Sequence, residues 1–189
     1  MQQKQIGVIV GSLREGSYTR MMARALVELV PASMRLSEIG IGDLAHYNQD
    51  RETATPPPGY TEFRSKVAGS DAILFVTPEY NRSIPGVLKN ALDVGSRPWG
   101  HSAWAGKPAA VISMTPGALG AMAAHHHLRQ VLYALNVAAL PSQEVFIPNA
   151  ATLFDEKGQL TNAATREFMT AVMKSFETWI EKLAPRPGA

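Results

Sequence analysis

Three continuous apolar runs, Ile6–Val10, Asp71–Thr77 and Pro108–Ser113, constrain this chain more than any other feature. Runs this short and this unbroken suit strands buried on both faces, which need helices packed above and below them. Each run ends in a loop of Gly, Pro or hydroxyl residues and is followed by helical spacing. After the first run, Met21, Met22, Ala25, Leu26, Leu29 and Val30 share a face until Pro31 stops the pattern. The others lead into helices expected over about Pro85–Val94 and from Gly120 to about Asn136.

Two weaker strand signals complete the set, the alternating Met34–Ile39 and a short run near Val145–Ile147. A short helix is expected from about Tyr60 to Ala68. The closing helix carries Phe168, Val172, Phe176, Trp179, Ile180 and Leu183 on one face, with Thr161 or Asn162 as its cap. Five strands alternating with five helices predict an α/β fold, a flavodoxin-like three-layer sandwich with a five-stranded parallel sheet of order 2-1-3-4-5. One domain is expected over residues 1–184, with a frayed tail at 185–189.

In that topology a ligand lies outside the carboxyl ends of strands 1, 3 and 4. Those ends carry Gly11–Thr19, Pro78–Ser83 and Ser113–Gly120, three loops distant in sequence that should meet at one crevice. The first loop opens a helix, where free N–H groups and the positive end of the macrodipole favour an anion. Ser12, Ser17 and Thr19 add hydroxyls and Arg14 a guanidinium fork, a set suited to a phosphomonoester. The alternative is a polar turn with an ordinary cap. In the second loop, Tyr80 offers apolar cover and Asn81 an amide for a planar heterocycle; a turn whose Asn tolerates an unusual backbone angle is the plainer reading. In the third, Thr115 brings a hydroxyl and Gly117 close backbone approach.

Composition removes several classes of function. The chain has no cysteine, so it makes no disulfide, thiolate zinc site or thiol redox centre. Redox work would fall to a bound cofactor. With 18 Lys and Arg against 16 Asp and Glu there is no basic block for nucleic acid. No stretch approaches the roughly 20 apolar residues of a membrane span, and a cytoplasmic protein is expected. His125, His126 and His127 cannot converge on one metal, because consecutive helical residues point about 100° apart; helix surfaces or subunit contacts are expected for them. Trp99 and Trp104 read equally as substrate cover or as a satellite cluster.

Taken together, the loops resemble those of the NADPH-dependent FMN reductase family. Gly11-Ser12-Leu13-Arg14 with Ser17 and Thr19 is similar to its phosphate loop. The stretch Pro78-Glu79-Tyr80-Asn81 with Ser83, Pro85-Gly86 and Leu88-Lys89-Asn90-Ala91-Leu92-Asp93 resembles its second signature along nearly its whole length. Gly106-Lys107-Pro108 and His127-Leu128-Arg129-Gln130 are similar to later landmarks. The resemblance implies non-covalent FMN, NADPH (or NADH) as hydride donor, and a homodimer or homotetramer. It implies that Ser12, Arg14, Ser17, Tyr18 and Thr19 surround the FMN phosphate. Pro78, Glu79, Tyr80 and Asn81 would hold the ring edge, and Thr115 with Gly117 the other side. The acceptor would be a quinone, a flavin or a similar small molecule. The Gly40–Gly59 loop, the Trp99/Trp104 loop and a neighbouring subunit are expected to wall the substrate side. Thr19 stands where the family often has Asn. His126 and Ala123 depart from one quinone- and chromate-reducing branch, so its subunit contacts and chromate activity are not carried over. The competing classes are a flavodoxin-type electron carrier and a flavin-binding regulatory module, neither with a nicotinamide site of its own.

Overall fold

In the computed structural model, which describes residues 3–141 and 143–184, a parallel sheet lies between two helical layers; the expected tail at 185–189 is outside those residues. Its strands are β1 (Lys4–Val10), β2 (Met34–Glu38), β3 (Ala72–Thr77), β4 (Pro108–Met114), β5 (Ala138–Ala139) and β6 (Val145–Ile147). The helices are α1 (Tyr18–Leu26), α2 (Pro58–Ala68), α3 (Gly86–Gly95), α4 (Met122–Ala134) and α5 (Ala163–Leu183). Sheet order is β2-β1-β3-β4-β5, the flavodoxin-like order expected from the sequence.

Strand alternation divides the interior into two cores. Ile6, Val8 and Val10 join Leu74, Val76 and Ile112 on one face, against Met22 and Leu26 of α1 and Met169, Val172 and Phe176 of α5. Ile9, Ile73, Phe75 and Val111 face the other way, toward Phe63 of α2, Leu88 and Leu92 of α3 and Leu128 of α4. Both faces of β3 are therefore covered, and every residue in it is buried. That is why its sequence is an unbroken apolar run. The edge strand β2 shows only Met34 fully buried, in keeping with its mixed sequence.

The expected five strands become six because the far edge is broken in two. β5 pairs with Pro108–Ala109 and β6 with Ile112–Met114, both parallel to β4. Between them the Leu140 carbonyl turns to accept from Arg129 Nη1 at 2.9 Å, and Pro141 has no N–H to give a ladder. Helix ends also shift. α2 starts at Pro58 rather than Tyr60, since proline is at home in a first turn. Pro85 precedes α3 as its cap, its carbonyl accepting from the amides of Leu88 and Lys89. α4 stops short of Asn136, whose φ of 55° is left-handed. α1 gives way at Leu26 to looser turns reaching Val30. Asn162, of the two cap candidates for α5, accepts from the Thr165 amide at 2.9 Å.

Candidate functional site

β1, β3 and β4 end side by side, and the loops that leave them enclose one crevice of about 120 Å³. Nine of the eleven predicted site residues line it: Ser12, Arg14, Ser17, Tyr18, Thr19, Pro78, Glu79, Tyr80 and Thr115. Asn81 and Gly117 do not; Met114 and Pro116 do, and sequence reasoning missed both. The first and second loops touch where Ser12 Oγ and the Tyr80 hydroxyl share a hydrogen bond of 3.3 Å. A larger hollow of about 390 Å³ lies between β1, the end of β2 and the end of α2, beside Gly7, where a Cβ would stand 2.7 Å from Ile39. Donors that line it are taken up within the protein, Lys66 Nζ by Glu62 and Ser70 Oγ by the Lys66 carbonyl, so size alone does not choose the site.

Ser17 and Thr19 are buried at the head of α1. Ser17 caps the helix, its Oγ accepting from the Arg20 amide at 3.3 Å and from the Thr19 hydroxyl at 3.2 Å. Helix geometry leaves the amides of Tyr18 and Thr19 without intrahelical partners, and they find no other among the described residues. Arg14 is exposed and its guanidinium meets no carboxylate among those residues. Tyr18 stacks on Phe154, with ring centroids 6.2 Å apart. A second guanidinium, Arg20, braces the loop by pairing with Glu38 at 2.7 Å and reaching the Ser12 carbonyl at 3.5 Å. Free amides, hydroxyls and an unpaired cation form a donor set without a matching acceptor, the chemistry that a phosphate fits.

The second loop is a tight hairpin. Tyr80 and Ser83 exchange backbone bonds of 2.9 and 3.0 Å around Asn81 (φ 52°) and Arg82 (φ 64°), both left-handed as a type I′ turn requires. Asn81 therefore follows the plainer reading, a turn residue chosen for its backbone. The third loop is held from behind, the Thr115 amide donating to Ile147 O and the Ala150 amide to Thr115 O. A Cβ on Gly117 would meet nothing closer than Thr115 at 3.7 Å, so no protein atom demands glycine there. Gly120 is different: its φ is 61° and a Cβ would stand 2.7 Å from Phe146.

Several expectations change. The loop after α3 lies at the opposite end of the sheet from the crevice, because α3 runs back along β3. Trp104 is wholly buried there between Phe63 and Phe75, while Trp99 is 84% exposed. Neither walls the crevice. The Gly40–Gly59 loop begins beside it, Gly42 against Leu13, then drapes over α3, where Asn90 holds it. Asn90 accepts from the Tyr47 amide and donates to the carbonyls of Leu44 and Ala45. Of the three histidines, His125 is buried rather than superficial, edge-on to Phe146 at 4.8 Å, with both ring nitrogens unpartnered. Burial, with Arg129 and His126 nearby, pushes its pKa down to about 4. His126 faces Glu144 at 3.7 Å, and His127 bonds Ser83. Among the described residues no group of three or more His, Asp or Glu could hold a metal. No helix there is long and apolar enough to cross a membrane.

Known proteins share this sequence and architecture. The profile of the NADPH-dependent FMN reductase family matches residues 5–152. A quinone reductase from Pseudomonas putida is 51% identical over 93% of this chain and 94% of its own length. A 2-hydroxy-1,4-benzoquinone reductase from a Burkholderia species is 40% identical over 93% of this chain and 96% of its own. The solved structure of FerB, a flavoenzyme NAD(P)H:(acceptor) oxidoreductase from Paracoccus denitrificans, superposes with a TM-score of 0.88 at 37% identity. That match covers 95% of this chain and 98% of FerB. The chain belongs to the NADPH-dependent FMN reductase family and is a flavin-dependent oxidoreductase.

Proposed function

We propose that the crevice seats FMN phosphate-first, and that the enzyme serves a quinone, a free flavin or a similar small acceptor with electrons from NADPH or NADH. FMN held there would supply the two-electron redox chemistry that links the nicotinamide to the acceptor. The residues present fit that cofactor. The amides of Tyr18 and Thr19 and the hydroxyls of Ser12, Ser17 and Thr19 offer a phosphate its bonds, and Arg14 offers its charge. Pro78, Glu79, Tyr80 and Asn81 would follow the ring edge mainly through backbone, since the amides of Glu79 and Asn81 have no partner among the described residues. Thr115 and Gly117 would close the far side. No side chain need act as acid or base; the residues bind, orient and exclude water.

One observation carries this reading: Tyr18 and Thr19, whose amides are unpaired among the described residues, line the same crevice as the hydroxyl residues Ser12 and Ser17 and the unpaired Arg14. The crevice is well below the roughly 300–1,000 Å³ that encloses a drug-sized ligand, so a three-ring flavin would extend past its mouth. A second copy of the chain is proposed to cover the exposed ring, in a homodimer or homotetramer. The cytoplasm is the proposed compartment, and a single FMN-binding domain over residues 1–184 the proposed unit.

The test is FMN titration of the purified protein, then turnover with NADPH and NADH against quinones, flavins and azo dyes. Ser17→Ala with Thr19→Ala removes two phosphate hydroxyls and should raise the FMN Kd by about 10- to 100-fold. Full affinity in that double variant would place the phosphate elsewhere. Reduction of the yellow protein by NADPH without a partner reductase separates an enzyme from an electron carrier.

A further inference from the structure

The carboxylate of Glu79 lines the crevice but is bonded to protein on both oxygens. Oε2 accepts from the Ala124 amide at 3.1 Å, and Oε1 accepts from Arg82 Nη1 at 3.0 Å. Ala124 is in the first turn of α4, a helix whose own cap, Ala121, has a left-handed backbone and no side-chain bond to give. The cap therefore comes from another loop, 45 residues earlier in the chain. It is also a negative charge at the positive end of the helix.

The same two elements are tied a second time, where Ser83 Oγ and His127 Nδ1 share a hydrogen bond of 2.8 Å. Ala124 and His127 are three residues apart, so both ties fall on one face of α4. On the opposite side, Ser113 Oγ donates to the carbonyl of Gly120 at 2.9 Å, fixing the end of the third loop to β4. The head of α4 is thus clamped between β4 and the second loop.

We infer that Glu79 is a positioning residue: its carboxylate, by capping α4, sets the spacing of the second and third loops and hence the width of the FMN crevice. The inference rests on the FMN reading above. It assigns the Glu79 side chain to α4 and leaves its backbone amide for the ring. With both oxygens accepting bonds from protein donors, the Glu79 side chain is assigned here the work of an acceptor rather than of a general acid.

The test compares Glu79→Ala with Glu79→Gln, whose amide oxygen can still accept from Ala124. In the FMN-free protein, exchange of the Ala124 amide proton, followed by NMR, should quicken about tenfold in Glu79→Ala and little in Glu79→Gln. FMN titration should show a Kd raised about tenfold in the alanine variant and within about threefold of the parent in the glutamine variant. Glu79→Met, of similar length without an acceptor, replaces alanine if that variant does not fold. Unchanged Ala124 exchange in the acceptor-free variant would overturn the cap. Faster exchange with undiminished FMN affinity would overturn the link to the crevice. Equal loss of FMN in the glutamine and acceptor-free variants, with Ala124 still protected in the former, would show that the carboxylate meets the flavin directly. A parent protein that takes up no FMN would instead refute the functional reading, leaving the exchange result to judge the cap alone.

Discussion

Where β1, β3 and β4 finish, the amides of Tyr18 and Thr19 and the guanidinium of Arg14 have no protein partner among the described residues; where α2 and α3 finish, the last-turn carbonyls are bonded. At that second end Trp104 Nε1 donates to Leu92 O at 2.9 Å, and Arg64 Nε to Val94 O at 2.8 Å. Lys107 Nζ donates to the carbonyls of Ala68 and Ser70, and burial holds its pKa below the ordinary lysine value. These side chains add to backbone donors at the last turns, since Leu92 O also accepts from the Ser96 amide and Val94 O from the Arg97 amide, and Lys107 takes up the Ala68 carbonyl that helix geometry leaves open. A protein end that satisfies its own terminal carbonyls needs no ligand. An end that leaves donors unpaired beside a crevice is the one where the proposed phosphate would find its bonds.

The largest test of this contrast is Trp104→Ala. The ring is wholly buried against Phe63 and Phe75, and Gly95 has no side chain because a Cβ would stand 2.5 Å from Trp104 Nε1. Its removal should cost about 3–5 kcal/mol of unfolding free energy, read from urea denaturation. FMN affinity of the molecules that remain folded should stay within about threefold, a change worth less than 1 kcal/mol. Lost affinity at nearly parental stability would mean that the far end communicates with the crevice.

The next test concerns another unpartnered group near the crevice end, His125, one turn into α4 behind the third loop. Its ordinary pKa of 6.5 falls to about 4 in the folded chain. The unfolded chain therefore binds that proton more readily than the native one. The contribution of a neutral His125 is complete above pH 6.5, declines as pH drops from 6.5 toward 4, and changes no further below. The total is on the order of 3 kcal/mol. His125→Leu should flatten the dependence of thermal midpoint on pH across that window. A slope equal to the parent's would show that His125 is solvated in solution.

The same contrast explains what could be read from residue order alone. β1, β3 and β4 were legible because burial on two faces writes an apolar run, and their ends then placed three loops together. Ser17 and Thr19 followed, since a cap and a hydroxyl declare themselves at a helix start. Other features depend on partners that leave no local pattern. β5 is two residues long, too short to show a period. Three consecutive histidines must point three ways, but Phe146, on a strand some 20 residues later, decides that His125 is the inward one. Glu79 reads as a site carboxylate because its partner is a backbone amide, which every non-proline residue has. Trp99 and Trp104 share a Gly- and Pro-rich stretch without periodicity, and only packing tells them apart.

That last pair supplies the smallest expected effect. Trp99 lies in the same loop as Trp104, yet its ring is 84% exposed, with Arg97 5.3 Å above it as its aromatic-face partner. A cation beside an exposed ring contributes about 0.5–1 kcal/mol at most, and surface substitutions generally stay within about 0.5 kcal/mol. Trp99→Ala should therefore leave the urea midpoint nearly where it was, with kcat/KM for NADPH and for a quinone unchanged. Measured beside Trp104→Ala, it isolates burial from residue type. A raised KM for the acceptor with unaltered stability would break the contrast between the two ends, because it would bring the far-end loop into a substrate's path.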